Sequence, residues 1–164
     1  MSNVDELTQD GLSRVEHTDC GEDTHVALEA LVGGLRLAGM AVEDCSWHND
    51  ADPSVQVWVD ADAAAAGAQA VARVWVVDPE SEVNMDADTV GRPVHYVAYV
   101  EEAWPGGVYV SGEQVAAEMG MSYTLESRSI EEIGKFLRQV VAGYEGATAA
   151  LMRGEGGVKV ITSR

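Results

Sequence analysis

Apolar residues recur at spacings of three and four positions between Thr24 and Glu43. This spacing places them on one side of a helix and predicts that the helix packs against a core through that side. Gly33 and Gly34 lie near its middle, and each glycine costs a helix up to about 1 kcal/mol relative to alanine. The pair therefore predicts either a kink or the close approach of another backbone.

A second helical stripe begins at Ile130 and can be followed past two glycines to Met152. It is preceded by Ser129, and Glu132 follows three positions later, which is the spacing of a capping box. The capping signal and the helical spacing of the apolar residues together predict this helix, which is the most clearly marked one of the chain.

Short apolar or alternating runs separate the two helical stripes. They predict strands over residues 55–60, 71–77, 94–102, 108–110, 121–125 and 158–162, and a short helix that Ser111 and Gln114 cap and Gly120 ends. Successive hairpins favour an antiparallel sheet. We therefore predict an α+β fold, in which a mostly antiparallel sheet of hairpins carries two main helices. Residues 1–23 form an acidic N-terminal segment, and residues 24–164 form a single domain.

Two of the predicted strands contain the same Val-Trp-Val sequence. A hairpin centred on Ala66–Gly67 would place Trp58 opposite Trp75 and Asp60 opposite Arg73, with valines on the other face. Cross-strand pairs of this kind contribute about 0.2–1 kcal/mol each. We predict this register, because one alignment satisfies all the pairs.

The charge of the chain is strongly acidic. It has 28 acidic and 10 basic residues, a net charge of −18 at pH 7. Nucleic acid and anionic membranes would repel such a surface, so we expect no direct binding to either. Three explanations stay open: the hydrated surface of a halophilic protein, the amino-acid bias of a GC-rich genome, and an inhibitor that mimics nucleic acid.

Apolar runs are too short or too interrupted for a membrane-spanning helix, which needs about 20 mostly apolar residues. The first residues lack the basic and apolar parts of a secretory signal. The expected location is therefore the cytoplasm or a virion assembled there.

The charge is also distributed unevenly. Residues 1–127 carry a net charge of −20, whereas residues 128–164 carry +2. An acidic neighbour would be attracted to the second region, and large aromatic side chains are common anchors at interfaces. The candidate interface residues are therefore Trp58, Trp75, Trp104, Arg128, Arg138 and Arg153.

Both cysteines and two of the histidines form a possible Cys2His2 ligand set for structural zinc: His17, Cys20, Cys45 and His48. The predicted helix between the two pairs would be about 30 Å long and would hold them apart. We therefore expect no bound metal. No catalytic motif or cofactor-binding motif was recognised in the sequence, so no cofactor and no enzymatic activity are expected.

The order of the predicted elements is similar to that of small ring-forming subunits of tailed-virus necks and tails. This resemblance implies a structural subunit whose partners are other copies of itself or other subunits of an assembly. The sequence thus predicts a non-enzymatic, homo-oligomeric assembly protein. The alternative is a small acidic inhibitor or immunity protein that binds a basic partner, including by mimicry of nucleic acid.

Overall fold

The structure, a computed structural model, describes residues 20–45, 53–78 and 94–153. Within these ranges the helices are α1 (Cys20–Leu37), α2 (Ala61–Ala65), α3 (Gly112–Met119) and α4 (Ile130–Met152). The strands are β1 (Ala41–Asp44), β2 (Ser54–Trp58), β3 (Ala72–Val77), β4 (His95–Val100) and β5 (Thr124–Ser127). None of the described helices is long and apolar enough to cross a membrane.

The five strands lie in the order of the sequence, and each pairs antiparallel with the next. One face of the sheet is fully buried at Val55, Val57, Val74 and Val76, and α1 and α4 pack on it. The Tyr96 hydroxyl, on the same face, donates a hydrogen bond of 3.0 Å to the carbonyl of Ala27 in α1. The predicted α+β fold with an antiparallel sheet is confirmed.

The first helix is shorter at its end than the sequence predicts. α1 stops at Leu37, and Gly39 has a φ of 87°, a conformation that only glycine adopts without strain. The chain then enters β1, so the prediction that residues 41–43 are helical is wrong. Val42 explains the change, because it is 4% exposed and fills the core from a strand.

Helix α1 passes through Gly33 and Gly34 without interruption. A Cβ atom added at Gly34 would lie 3.0 Å from the Ile130 side chain at the start of α4, whereas nothing lies within 4 Å of one added at Gly33. The predicted close approach of another backbone is therefore wrong, and the side chain of Ile130 makes the close contact at Gly34 instead.

The predicted register of the β2–β3 hairpin is wrong, although the strands are neighbours and their buried faces are as predicted. Trp75 lies opposite Ser54, four positions from the expected Trp58. The connection is not a tight turn, because the Asp60 carboxylate accepts a hydrogen bond of 2.8 Å from the backbone of Ala63 and begins α2. This extra turn of helix displaces the pairing.

The later elements follow the sequence in part. Ser111 and Gln114 form the predicted reciprocal capping box at the start of α3, and α4 runs to Met152 as expected. The second predicted capping box is incomplete, because the Glu132 carboxylate accepts a hydrogen bond from the Ser127 hydroxyl instead of the Ser129 backbone.

The strand predicted over residues 121–125 is observed as β5, at Thr124–Ser127. The predicted strand over residues 108–110 is reduced to one bridge between Val110 and Ala103. The strand predicted over residues 158–162 lies outside the described residues.

Burial of Tyr96 raises the pKa of its hydroxyl, because the charged phenolate would lose its hydration. The unfolded chain therefore releases this proton first, and the free energy of unfolding should fall as the pH rises above about 10. We expect Tyr96→Phe to flatten this fall by up to about 1.4 kcal/mol per pH unit. Denaturant titrations between pH 8 and 11 measure it, and an unchanged slope would contradict the buried placement of Tyr96.

Candidate interaction site around helix α4

Helix α4 has one buried side and one exposed, charged side. Its buried residues are Ile130, Ile133, Gly134, Phe136, Leu137, Val140, Tyr144, Ala147, Ala150 and Leu151. At its start, the Ser129 hydroxyl accepts a hydrogen bond from the Glu132 backbone, so one free N–H of the first turn is satisfied. Lys135 and Arg138 lie exposed on the outer side, so cations are presented along this helix in an otherwise acidic protein.

An exposed group of large apolar side chains lies at the end of α4. Trp104 is 52% exposed, Tyr109 is 48% exposed and Met152 is 43% exposed. The Trp104 and Tyr109 rings are 5.3 Å apart between centroids and tilted by 59°. Exposed apolar side chains that cluster in this way are typical of contact surfaces. We refer to Trp104, Tyr109 and Met152 as the aromatic patch.

Local backbone geometry positions the patch. The turn after Trp104 contains Gly106 and Gly107 with φ values of 60° and 84°. A Cβ atom at Gly106 would lie 2.9 Å from the sulfur of Met152, so the helix end packs directly on this turn. The absence of a side chain at Gly106 therefore allows Met152 to join the patch.

Tyr144 connects α4 to the segment that leads from β4 to the aromatic patch. Its hydroxyl lies 2.8 Å from the carbonyl of Glu101 and 3.0 Å from that of Glu102. Burial raises the pKa of Tyr144. The Tyr109 hydroxyl donates a hydrogen bond of 3.0 Å to the Glu102 carboxylate, and this bond raises the pKa of Tyr109. A carboxylate therefore stands directly beside the aromatic rings.

A cleft of about 260 Å³ lies next to the patch. It is lined by Val59, Ala63, Ala68, Gln69, Val71, Ala103, Trp104, Pro105, Tyr144, Glu145 and Thr148. Its walls come from α2, the turn at Pro105 and the end of α4, so it is a shallow apolar site with Glu145 at its border. An aliphatic or aromatic side chain of a partner would fit such a shape.

A larger groove of about 610 Å³ lies toward the other end of α4, where it meets β5. It is lined by Gly120, Met121, Ser122, Thr124, Leu125, Glu132, Lys135, Phe136 and Gln139. Phe136 is buried, and Met121 and Leu125 are half-buried, whereas Glu132 and Lys135 are exposed. The groove thus has an apolar floor and a charged rim, and we refer to it as the edge groove.

The predicted interface arginines do not form one surface. Arg153 follows Met152 directly and lies at the aromatic patch, together with Trp104. Arg138 is exposed in the middle of α4, and Arg128 precedes its cap at the opposite end. A helix of 23 residues spans about 34 Å. The structure therefore brings Trp104 and Arg153 to one end and leaves Arg128 at the other.

The other two predicted tryptophans lie apart from the patch. Trp58 is 9% exposed, and its indole N–H donates a hydrogen bond of 2.8 Å to the carbonyl of Ala68. Trp75 is half-buried on the sheet face that points away from α1 and α4, where the Arg73 guanidinium lies 5.7 Å from its ring centroid. Of the three tryptophans, Trp104 is the one that offers a large exposed surface.

Two of the four hypothetical zinc ligands, His17 and His48, lie outside the described residues. Cys20 is the first residue of α1. The Cys45 sulfur accepts a hydrogen bond of 3.3 Å from the Arg73 guanidinium and lies 3.3 Å from the Ser54 hydroxyl. Across the described ranges, no group of three or more histidine, cysteine or acidic residues is placed to hold a metal ion.

Sequence reasoning missed Tyr109 and Met152. A signal for Tyr109 was available, since it alternates with Val108 and Val110 and must face away from them. Met152 carried no such signal, because its exposure depends on the packing of the α4 end against the turn at Gly106.

No protein-family model matches the chain, and no curated protein and no solved structure matches it significantly.

Proposed function

We propose that this chain is a non-enzymatic structural subunit that assembles with other copies of itself, in the cytoplasm or in a virion. The observation that carries the proposal is the aromatic patch, in which the tilted rings of Trp104 and Tyr109 pack against each other while about half of each residue stays exposed. Burying this surface against a neighbour gains about 25 cal/mol for each Å² of apolar area.

Charge supports assembly through unlike surfaces. Arg138 and Arg153 lie exposed on α4, whereas residues 1–127 carry a net charge of −20. These two cations lie in residues 128–164, which carry a net charge of +2, so they are attracted to the acidic body of the next copy. When a patch meets a different patch, the copies form a ring if the rotation closes and a stack or filament if it does not.

The alternative is a small acidic inhibitor or immunity protein that neutralises a basic partner. The observation that favours it is the Glu102 carboxylate bonded to Tyr109 beside Trp104, with Glu145 at the border of the same cleft. Lysine and arginine side chains bind aromatic faces and carboxylates. Such a protein would be monomeric or dimeric alone and would bind a basic partner.

The experiment is light scattering on the double variant Arg138→Glu and Arg153→Glu. Reversing both charges replaces attraction to the acidic neighbour with repulsion, so we expect the oligomer to dissociate at concentrations where the unaltered chain is assembled. The matched control is Arg138→Lys with Arg153→Lys, which keeps the charge and should keep the oligomer.

A second pair of variants tests the patch. Trp104→Ala removes its largest side chain and should weaken assembly by at least about tenfold, since anchors of this kind contribute about 2 kcal/mol or more. Leu37→Ala is the control, because Leu37 is 92% exposed at the end of α1, and this end of α1 approaches the start of α4 rather than the aromatic patch at its other end. Equal masses for the Trp104→Ala variant and the unaltered chain would contradict a role for the patch.

A further inference from the structure

We propose that the edge groove is a docking site for residues 158–162 of a neighbouring copy, which add to the sheet as a strand beside β5. This inference rests on the proposed self-assembly and names the contact that joins successive copies. Within the described residues, the groove offers the edge of a strand and an apolar floor, and a carboxylate stands on the other face of that strand. The segment offers the complementary pattern.

Strand β5 is an edge of the sheet within the described residues. It pairs with β4 along Thr124–Ser127, and it is last in the strand order. An edge strand presents backbone N–H and C=O groups that can pair with an extended segment of another chain. The edge groove runs between this edge and α4, which is the position that an added strand occupies.

The segment after α4 has the composition of a β-strand that follows a glycine-rich stretch. Residues 154–157 read Gly-Glu-Gly-Gly, and residues 158–162 read Val-Lys-Val-Ile-Thr. Valine, isoleucine and threonine favour extended backbone. In an extended chain Val158, Val160 and Thr162 lie on one side, and Lys159 and Ile161 lie on the other.

The two sides of this segment match the two faces of β5. Leu125 lies on the face of β5 that points toward α4, with buried Phe136 below it, and it receives the valine side. Glu126 lies on the opposite face of β5, its carboxylate 2.7 Å from His95 and its side chain 48% exposed. Lys159 is placed on the same face as Glu126, where opposite charges attract.

Chain length decides between the same copy and a neighbour. Arg153 lies fourteen positions after Gln139, the last groove residue on α4, so the helix carries the chain about 21 Å beyond the groove. The five steps from Arg153 to Val158 span at most about 18 Å when fully extended, before any residue is used to reverse direction. Val158 of the same chain therefore stops short of the groove even at full extension, and each residue used for the reversal moves the rest of the segment further away. All five residues of a neighbour's segment meet no such limit.

The aromatic patch lies at the C-terminal end of α4, where the chain continues toward residues 158–162, and the edge groove lies toward the other end of the helix. One copy therefore contacts the next head to tail, with its patch and its strand on one side of a single heterologous interface. This arrangement explains how a chain of like-charged subunits holds together, since backbone pairing and apolar burial act beside the few cations.

The test uses the full chain with Val158→Asp and Val160→Asp, together with a labelled synthetic peptide of residues 154–164. The variant should be monomeric by light scattering where the unaltered chain is oligomeric, and it should melt within a few degrees of the unaltered monomer. Its groove is vacant, so it should bind the native peptide saturably, at one peptide per chain, in fluorescence anisotropy. A peptide carrying the same two aspartates should not bind.

A second full-length variant, Lys159→Glu, changes only a charge and should raise the dissociation constant of the oligomer by about tenfold. If the unaltered chain is an oligomer but the aspartate variant keeps its mass, or the native peptide fails to bind, the docking inference is wrong and assembly stands. If the unaltered chain is itself a monomer, the proposed assembly function is wrong, and the docking inference falls with it.

Discussion

Replacing Gly112 with alanine is expected to destabilise the fold by about 3 kcal/mol or more. Gly112 is the first residue of α3 and is buried there. A Cβ atom at this position would overlap the carbonyl oxygen of Val100 and lie 2.7 Å from the Tyr123 ring. The backbone of β4 cannot move aside as a flexible side chain would, so the start of α3 has to separate from the sheet.

Thermal unfolding measures this effect, which should appear as a fall in Tm of roughly 6–12 °C for a domain of this size. Gly33→Ala is the matched control in an exposed helix interior, where nothing lies within 4 Å of the added Cβ atom. It should instead raise stability by about 0.5–1 kcal/mol. A Gly112→Ala variant as stable as the unaltered chain would show that α3 does not approach β4 as closely as described.

Replacing Arg73 with methionine should cost about 2–3 kcal/mol. The Arg73 guanidinium lies 3.2 Å from the Glu101 carboxylate and donates a hydrogen bond of 3.0 Å to the Ser54 hydroxyl. The Arg73 and Glu101 side chains are 23% and 17% exposed. Methionine fills similar space but removes the cation beside the half-buried Glu101 carboxylate and one of the hydrogen bonds of the Ser54 hydroxyl. Partial solvent access limits the cost.

A double-mutant cycle with Glu101→Gln measures the coupling energy of the Arg73–Glu101 ion pair separately from the other contacts of Arg73. Because the neutral amide no longer needs a cation, the double variant should be less destabilised than the sum of the two single variants. Arg128→Met is the control, since Arg128 is exposed and should change stability by less than about 0.5 kcal/mol. Strict additivity of Arg73→Met and Glu101→Gln would contradict direct coupling between the two groups.

Elements with local signals were predictable from the sequence. The caps at Ser111 and Ser129 fix where α3 and α4 begin, because each requires only residues within one helical turn. The end of α1 was not predictable in this way. Its helical spacing continues past Gly39 into β1, and the demand of the core for Val42 in a strand overrides that spacing.

The hairpin register depends on contacts that are distant in sequence. Arg73 pairs with Glu101, the residue that follows β4, rather than with Asp60. Asp60 caps α2 instead. The Val-Trp-Val repeat therefore predicted the correct faces but the wrong partners, since four positions preserve the alternation of faces. The register therefore depends on which partners Arg73 and Asp60 find in the folded chain.

The candidate site was predictable in part. Trp104 and Arg153 were selected from residue type and charge, and the fold brings both to the end of α4. The edge groove was not predictable, because Leu125 and Phe136 belong to different elements. Their apolar side chains look like ordinary core positions until β5 is known to be the last strand of the sheet among the described residues.

Self-assembly is tested most directly by the mass of the unaltered chain in solution. Light scattering after gel filtration, over a hundredfold range of concentration, should be done in about 0.15 M and about 1 M salt. The first condition keeps the attraction between unlike surfaces, and in the second a Debye length of about 3 Å screens repulsion from the net charge of −18. We predict a mass that is a multiple of the 17.4 kDa of one chain and that decreases on dilution. A mass of one chain at every concentration would contradict assembly and favour the inhibitor.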